Sequence, residues 1–213
     1  MKSRRIGLDP VTGEIDYSFH EEVINRFTRL PKEEWNYLKN LLGVRTVKKG
    51  SHLLREGERC RTLYYIIKGG ARFYYVNALG EEITKNFIFE NNFVIAFDSL
   101  FSQAPTTENI IMLEDSVMFT LSDRHFQDLL NRHPVWEILL NKLIAKHFLR
   151  IIEKERLLLL CNYDARYLEV MENKPYLFQR VEQQYIASYL GMTPETLCRI
   201  KRRVYKKEML IRK

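Results

Sequence analysis

Between Glu21 and Leu42 (EEVINRFTRLPKEEWNYLKNLL) apolar positions recur at helical spacing: Trp35, Leu38, Leu41 and Leu42 fall at i, i+3, i+6 and i+7, and Pro31 splits the segment into two short helices. The period then shortens. From Val44 to about Leu121 the chain is rich in β-branched and aromatic residues, interrupted by Gly50, Gly57, Gly69, Gly70, Asn77, Gly80, Asn91 and Asn92 at turn positions. The spacing predicts strands over 45–48, 63–67, 71–76, 82–89, 109–113 and 117–121, an antiparallel roll or barrel with an aromatic core.

Helical periodicity returns at Ser122, a natural N-cap for a helix over 123–131, and a long helix is expected from Pro134 to about Leu160. Leu140, Ile144, Phe148, Ile151 and Leu158, flanked by Leu139, Leu143 and Ile152, make a stripe wider than one face. Either the helix is buried within one monomer, or one face covers the roll while another pairs with a second chain. The segment from Val181 to Tyr205 (VEQQYIASYLGMTPETLCRIKRRVY) then reads as two helices joined at Leu190, Gly191 and Met192. Ile186, Ala187 and Leu190 supply an inner face, and small Ala187 permits close approach of the second helix. Gly191 supplies the positive φ of the turn. Thr193 and Pro194 suit the N-cap and first helical positions.

Charge changes this picture from a hairpin to a candidate reader of a polyanion. The chain of 213 residues carries a net +7, and the segment 174–213 alone holds ten basic residues against three acidic ones, so the body is neutral. A basic run by itself is equally a solvated helix face. Here, however, Leu197, Ile200 and Val204 turn inward at i, i+3 and i+7 and leave Glu195, Thr196, Arg199, Arg202, Arg203 and Lys206 outward, which with the N-cap Thr193 are candidate DNA-binding residues. Near the start of such a helix Glu195 is placed to accept from cytosine N4 and Arg199 to donate twice to guanine O6 and N7. Lys201, Arg202, Arg203, Lys206 and Lys207 lie further along and suit phosphate contacts, which add affinity and salt dependence.

Other chemistry is sparse. Cys60, Cys161 and Cys198 form neither a disulfide framework nor an all-cysteine metal site and fit a reducing cytoplasm. No secretory signal and no bilayer-spanning stretch is expected, so the reading is a soluble cytoplasmic protein with no membrane partner. No glycine-rich phosphate loop, H-E-x-x-H or G-x-S-x-G occurs, which argues against an enzyme. No metal and no cofactor are expected.

Two stretches resemble the Crp/Fnr family of bacterial regulators, and the likeness runs from about Phe27 to Lys207. One is KGSHLLREGERCRTLYYIIKGGARFYY at 49–75, with Gly50, Gly57 and Gly69 where that family's cyclic-nucleotide-binding roll turns; the other is ARYLEVMENKPYLFQRVEQQYIASYLGMTPETLCRIKRR at 165–203. The resemblance implies an α+β protein in three parts: an effector β-roll of the jelly-roll type with N-terminal helices (1–133), a long dimerisation helix (134–161) and a helix-turn-helix domain (162–213). It implies a homodimer on a two-fold symmetric operator in double-stranded DNA, with RNA polymerase as a further partner if it activates. Too few residues follow 207 for a full wing, so a truncated one is expected.

The resemblance also carries departures. Members that bind cyclic nucleotide clamp its ribose and phosphate with a Gly-Glu pair and a following arginine, whereas the matching stretch here, NFVIAFDSLFSQAPTTEN at 92–109, has no arginine or lysine. The expected effector is therefore something other than cyclic AMP, or none. Phe89, Phe97 and Thr107 are the expected pocket lining for an apolar or weakly polar small molecule, although phenylalanines on strands also serve as plain core. Oxygen-sensing members hold an iron–sulfur cluster on cysteines near the N-terminus, and no cysteine precedes Cys60. His20, His52, His125, His133 and His147 are scattered; a haem ligand among them and ordinary surface or capping roles both stay open. A ligand-binding or signalling roll that does not read DNA specifically is the alternative function.

Overall fold

The computed structural model describes residues 7–9 and 12–211, with side chains as far as Tyr205. The first helical stretch forms α1 (Tyr17–Asn25), capped by Asp16 accepting from the Phe19 amide, and α2 (Lys32–Leu41), which begins after Pro31. α2 buries Trp35, Leu38 and the carboxylate of Glu34. That carboxylate accepts from Arg132 Nε at 3.0 Å and Trp136 Nε1 at 2.8 Å, so the charge is buried with partners and avoids the cost of an orphaned ion.

Eight strands follow: β1 (Gly43–Val47), β2 (His52–Leu54), β3 (Thr62–Lys68), β4 (Gly70–Val76), β5 (Glu82–Phe89), β6 (Phe93–Val94), β7 (Asn109–Met112) and β8 (Ser116–Ser122), with α3 (Phe97–Ser102) before β7. They form two four-stranded sheets, ordered β1-β8-β3-β6 and β2-β7-β4-β5. Alternation along the strands decides what fills the space between them. Ile66, Ala71, Phe73, Val94, Ile110 and Met118 make one core cluster, while Tyr65, Ile67 and Phe119 on the opposite faces pack with Phe19 and Val23 of α1. Gly69, at φ 110° between β3 and β4, has no room for a side chain, since a Cβ there would lie 1.9 Å from Ser116 Oγ. The short β2, β6 and α3 have too few residues to display a period, which is why the sequence does not announce them.

Ser122 accepts from the His125 amide and opens α4 (Asp123–Arg132). His133 plays a capping role, its Nδ1 accepting from the Val135 amide at 3.1 Å at the head of α5 (Val135–Leu160). The wide apolar stripe of α5 divides. Leu139 is buried and Leu140 and Leu143 half-buried against the roll, whereas Ile138, Phe148, Ile151, Ile152, Leu159 and Leu160 are exposed. Ile144 and Leu158 are half-buried.

The chain ends in α6 (Tyr163–Asn173), α7 (Leu177–Arg180), α8 (Gln183–Tyr189) and α9 (Pro194–Ile211). The truncated wing expected after Lys207 is corrected here: residues 208–211 continue α9, because Glu-Met-Leu-Ile contains neither glycine nor proline to stop it. Contacts divide the chain into two compact units, Met1–Tyr75 with Asn86–Ala145 and Val76–Lys85 with Lys146–Lys213. The division falls inside α5, and it assigns the tip of the β4–β5 hairpin to the helical unit. Among the described residues no helix is long and apolar enough to cross a membrane.

Candidate nucleic-acid interface and roll pocket

The α8–α9 pair is built around five nearly water-free side chains, Ile186, Ala187, Leu190, Leu197 and Ile200. Gly191 adopts φ +67° in the turn. α9 starts at Pro194, and the Thr193 hydroxyl accepts from the Thr196 amide at 3.3 Å. With its inward face fixed, 3.6 residues per turn place Glu195, Arg199 and Arg202 on one exposed side. The Glu195 carboxyl is held below the usual carboxylate range by its own backbone amide and the Thr193 hydroxyl, which keeps it an anion and an acceptor.

The remaining cations of α9 are not equivalent. Arg203 is exposed but is engaged by Asp164 of α6. Lys201 is half-buried, its ammonium 5.9 Å from the ring centre of Phe178. Thr196 is half-buried on the flank of the exposed side. The side chain of Lys206 lies outside the described residues.

Three residues absent from the sequence reading hold this unit together. Arg166 donates through all three guanidinium nitrogens to backbone carbonyls: Nε to Cys161 at 2.9 Å, Nη1 to Leu190 at 3.0 Å and Nη2 to Leu158 at 2.7 Å. It thereby ties the end of α5 to the turn between α8 and α9. Ser188 of α8 accepts from the Thr84 amide at 2.8 Å and donates to the Glu82 carbonyl at 3.2 Å. Lys154 donates to the carbonyls of Thr84 and Lys85 at 2.9 and 2.8 Å and lies 4.5 Å over the Tyr189 ring. Burial, with Lys174 and Lys85 nearby, pulls its pKa down to about 8. Only long-range contact reveals these roles, because nothing local distinguishes Arg166 from other surface arginines in the sequence.

The three residues expected to line an effector pocket take different environments. Phe89 is buried with its ring against the α-carbon of Gly70, Phe97 stacks on Phe101 with centroids 5.9 Å apart, and Thr107 is exposed. The physical reason is alternation: Phe89 lies on the other face of its strand from the residues that fill the roll, and Phe97 is drawn into α3, outside the sheets.

Residues 44–133 match the family model of the cyclic nucleotide-binding domain. No curated protein sequence matches the chain. Among solved structures, FixK2 from Bradyrhizobium japonicum aligns with a TM-score of 0.69 at 14% identity, covering 78% of this chain and 86% of its own. A transcriptional regulator of the Crp/Fnr family from Eubacterium rectale aligns at 0.71 with 17% identity, covering 88% and 89%. The c-di-GMP responsive global regulator CLP of Xanthomonas campestris aligns at 0.67 with 18% identity, covering 84% and 93%. The chain has the Crp/Fnr regulator fold.

Within that Crp/Fnr architecture the 92–109 stretch closes on itself. The Asp98 carboxylate accepts from the Thr106 hydroxyl at 2.9 and 3.2 Å and from the Thr107 amide at 3.3 Å. The Thr106 hydroxyl and the Thr107 amide are thereby engaged by the chain's own carboxylate. Among the described residues, no group of His, Cys, Asp and Glu is placed to hold a metal ion.

Proposed function

We propose that the chain is a sequence-specific DNA-binding transcription regulator, acting as a homodimer on a two-fold symmetric operator. The observation that carries this reading is the exposed side of α9, where Glu195, Arg199 and Arg202 stand on a helix whose back is locked by Leu197 and Ile200. Side chains anchored on a fixed helix with their heads in solvent are what a major-groove reader requires, because bidentate contacts need a rigid platform. Glu195 and Arg199 read base edges; Arg202 contacts phosphate, and Arg203 and Lys201 do so only by leaving Asp164 and Phe178.

The homodimer rests on α5. Ile138, Asn141, Ala145, Phe148, Ile152, Glu155 and Leu159 are all exposed and alternate in spacings of three and four, the seam of a two-stranded coiled coil. The effector is not cyclic AMP bound in the manner of nucleotide-binding relatives. A phosphate placed beside Asp98, with no cation from 92–109, would face like-charge repulsion on top of a desolvation cost of roughly several kcal/mol.

The test is selection of bound duplexes from a random pool with the parent protein and with Arg199→Ala. The parent is expected to recover a two-fold symmetric site with half-site centres about 34–36 Å apart, and Arg199→Ala to relax one base pair in each half at a cost of about 1–3 kcal/mol. Recovery of unrelated sequences by the parent overturns specific reading, and a monomer by sedimentation, with and without DNA, overturns the dimer.

A further inference from the structure

Lys146, Arg150 and Lys154 fall four residues apart on α5, with His147 beside them, so one face of the helix carries cations on successive turns. All four side chains are half-buried, whereas Phe148 and Ile152 on another side of the same helix are exposed. Two half-buried lysines from other elements join them, Lys85 of β5 and Lys174 at the end of α6. Lys154 Nζ donates to the Lys85 carbonyl at 2.8 Å and stands 4.5 Å over the Tyr189 ring, and Lys174 Nζ donates to the Tyr189 hydroxyl at 3.2 Å. All of these residues belong to the helical unit.

Like charges one turn apart destabilise a helix, and partial burial strengthens their repulsion because less water screens them. The pKa values register both. Burial lowers those of Lys146, His147, Arg150 and Lys154, and neighbouring cations add to it: Arg150 at Lys146, Lys85 and Arg150 at His147, Lys174 and Lys85 at Lys154. Tyr176, Tyr189 and the exposed Glu153 act in the opposite sense on Arg150. An anion laid along this face relieves the repulsion at several groups at once, and half-buried heads still offer surface to it. A single phosphate meets the cations of one turn, whereas a chain of phosphates follows the stripe, with the Arg150 guanidinium shaped to hold two of its oxygens.

We propose that this face of α5, with Lys85 and Lys174, binds an oligophosphate, either free or as the tail of a nucleotide. The proposal does not depend on the DNA reading, and its test uses no DNA, so the two fail separately. Calorimetric titration of the full chain at fixed ionic strength compares tripolyphosphate, ATP, orthophosphate and citrate. Tripolyphosphate is expected to bind at least about tenfold more tightly than orthophosphate or citrate. ATP binding no more tightly than tripolyphosphate assigns a free oligophosphate, and tighter binding assigns a nucleotide. Arg150→Gln and Lys174→Gln, on separate elements, are each expected to weaken tripolyphosphate binding about tenfold, the scale of one charge-assisted hydrogen bond, with helix content unchanged by circular dichroism. Arg202→Ala on α9 is expected to leave that binding as it is. An equal loss in Arg202→Ala and Arg150→Gln would put the anion on α9 and overturn the proposal. So would orthophosphate or citrate binding as tightly as tripolyphosphate, no binding at millimolar concentration, or indifference to both glutamine variants.

Discussion

On α9, Glu195, Arg199 and Arg202 project into solvent from a helix fixed along its back, while in the roll polar groups of the 92–109 stretch are engaged by the chain itself, Asp98 by Thr106 and Thr107, and Ser99 by the Ala104 carbonyl at 2.6 Å and the Cys60 amide at 2.9 Å. The first arrangement is open: its charged heads stand in solvent, and Glu195 is engaged only within its own turn, by its backbone amide and the Thr193 hydroxyl. The second is closed, its polar side chains already engaged within the roll.

Arg166→Ala strikes this contrast hardest, because it removes the clamp that lets the open surface stay rigid. Three carbonyls lose a charged donor together, and the loss of unfolding free energy is expected to be about 3 kcal/mol or more, read by chemical denaturation. Arg166→Lys, with one nitrogen in place of three, is expected to recover less than half of it. A midpoint unchanged within error would show that the unit does not depend on the clamp.

A smaller effect separates free from engaged cations on one helix. Arg202→Ala is expected to flatten the salt dependence of DNA binding by about one unit in the log–log slope, whereas Arg203→Ala, starting from an ion pair with Asp164, flattens it by clearly less. Equal slopes for the two variants would mean that Asp164 releases Arg203 on the DNA.

The smallest effect belongs to the closed side. His20 is fully buried, its Nε2 donating to the Gly7 carbonyl at 3.1 Å and its Nδ1 3.3 Å from the Tyr65 hydroxyl, and burial lowers its pKa below the usual imidazole range. The unfolded chain therefore binds the proton more readily, so His20 contributes stability above about pH 6.5 that is lost as pH falls through its lower folded value. Comparing thermal midpoints at pH 7.5 and 5.5, His20→Gln is expected to lose less on acidification than the parent; equal losses would remove His20 from the pH response.

How much of this was legible follows from the range of each interaction. Periodicity along the chain locates α2, α4, α5, α8, α9 and the longer strands, and the Thr193-Pro194 start of α9 is written in consecutive residues. The division of the α5 stripe is not, since Leu140 and Phe148 are equally apolar and only packing tells them apart. Phe89 and Phe97 mislead because an apolar residue near a turn gives no sign of which side of the sheet it will take. The pairing of Arg203 with Asp164, the reach of Arg166 to the Leu190 carbonyl and the Lys154 bonds to backbone carbonyls span many residues and leave no local signature.

The hairpin tip held by Ser188 and Lys154 bears on how this protein can be cut. A C-terminal fragment beginning at Lys146 would carry α8 and α9 yet lack residues 76–85, leaving Ser188 without the Thr84 amide and Lys154 without both of its carbonyl acceptors. The helical unit is discontinuous in sequence, and truncation or a proteolytic nick within the β4–β5 hairpin would damage it from a site more than sixty residues upstream.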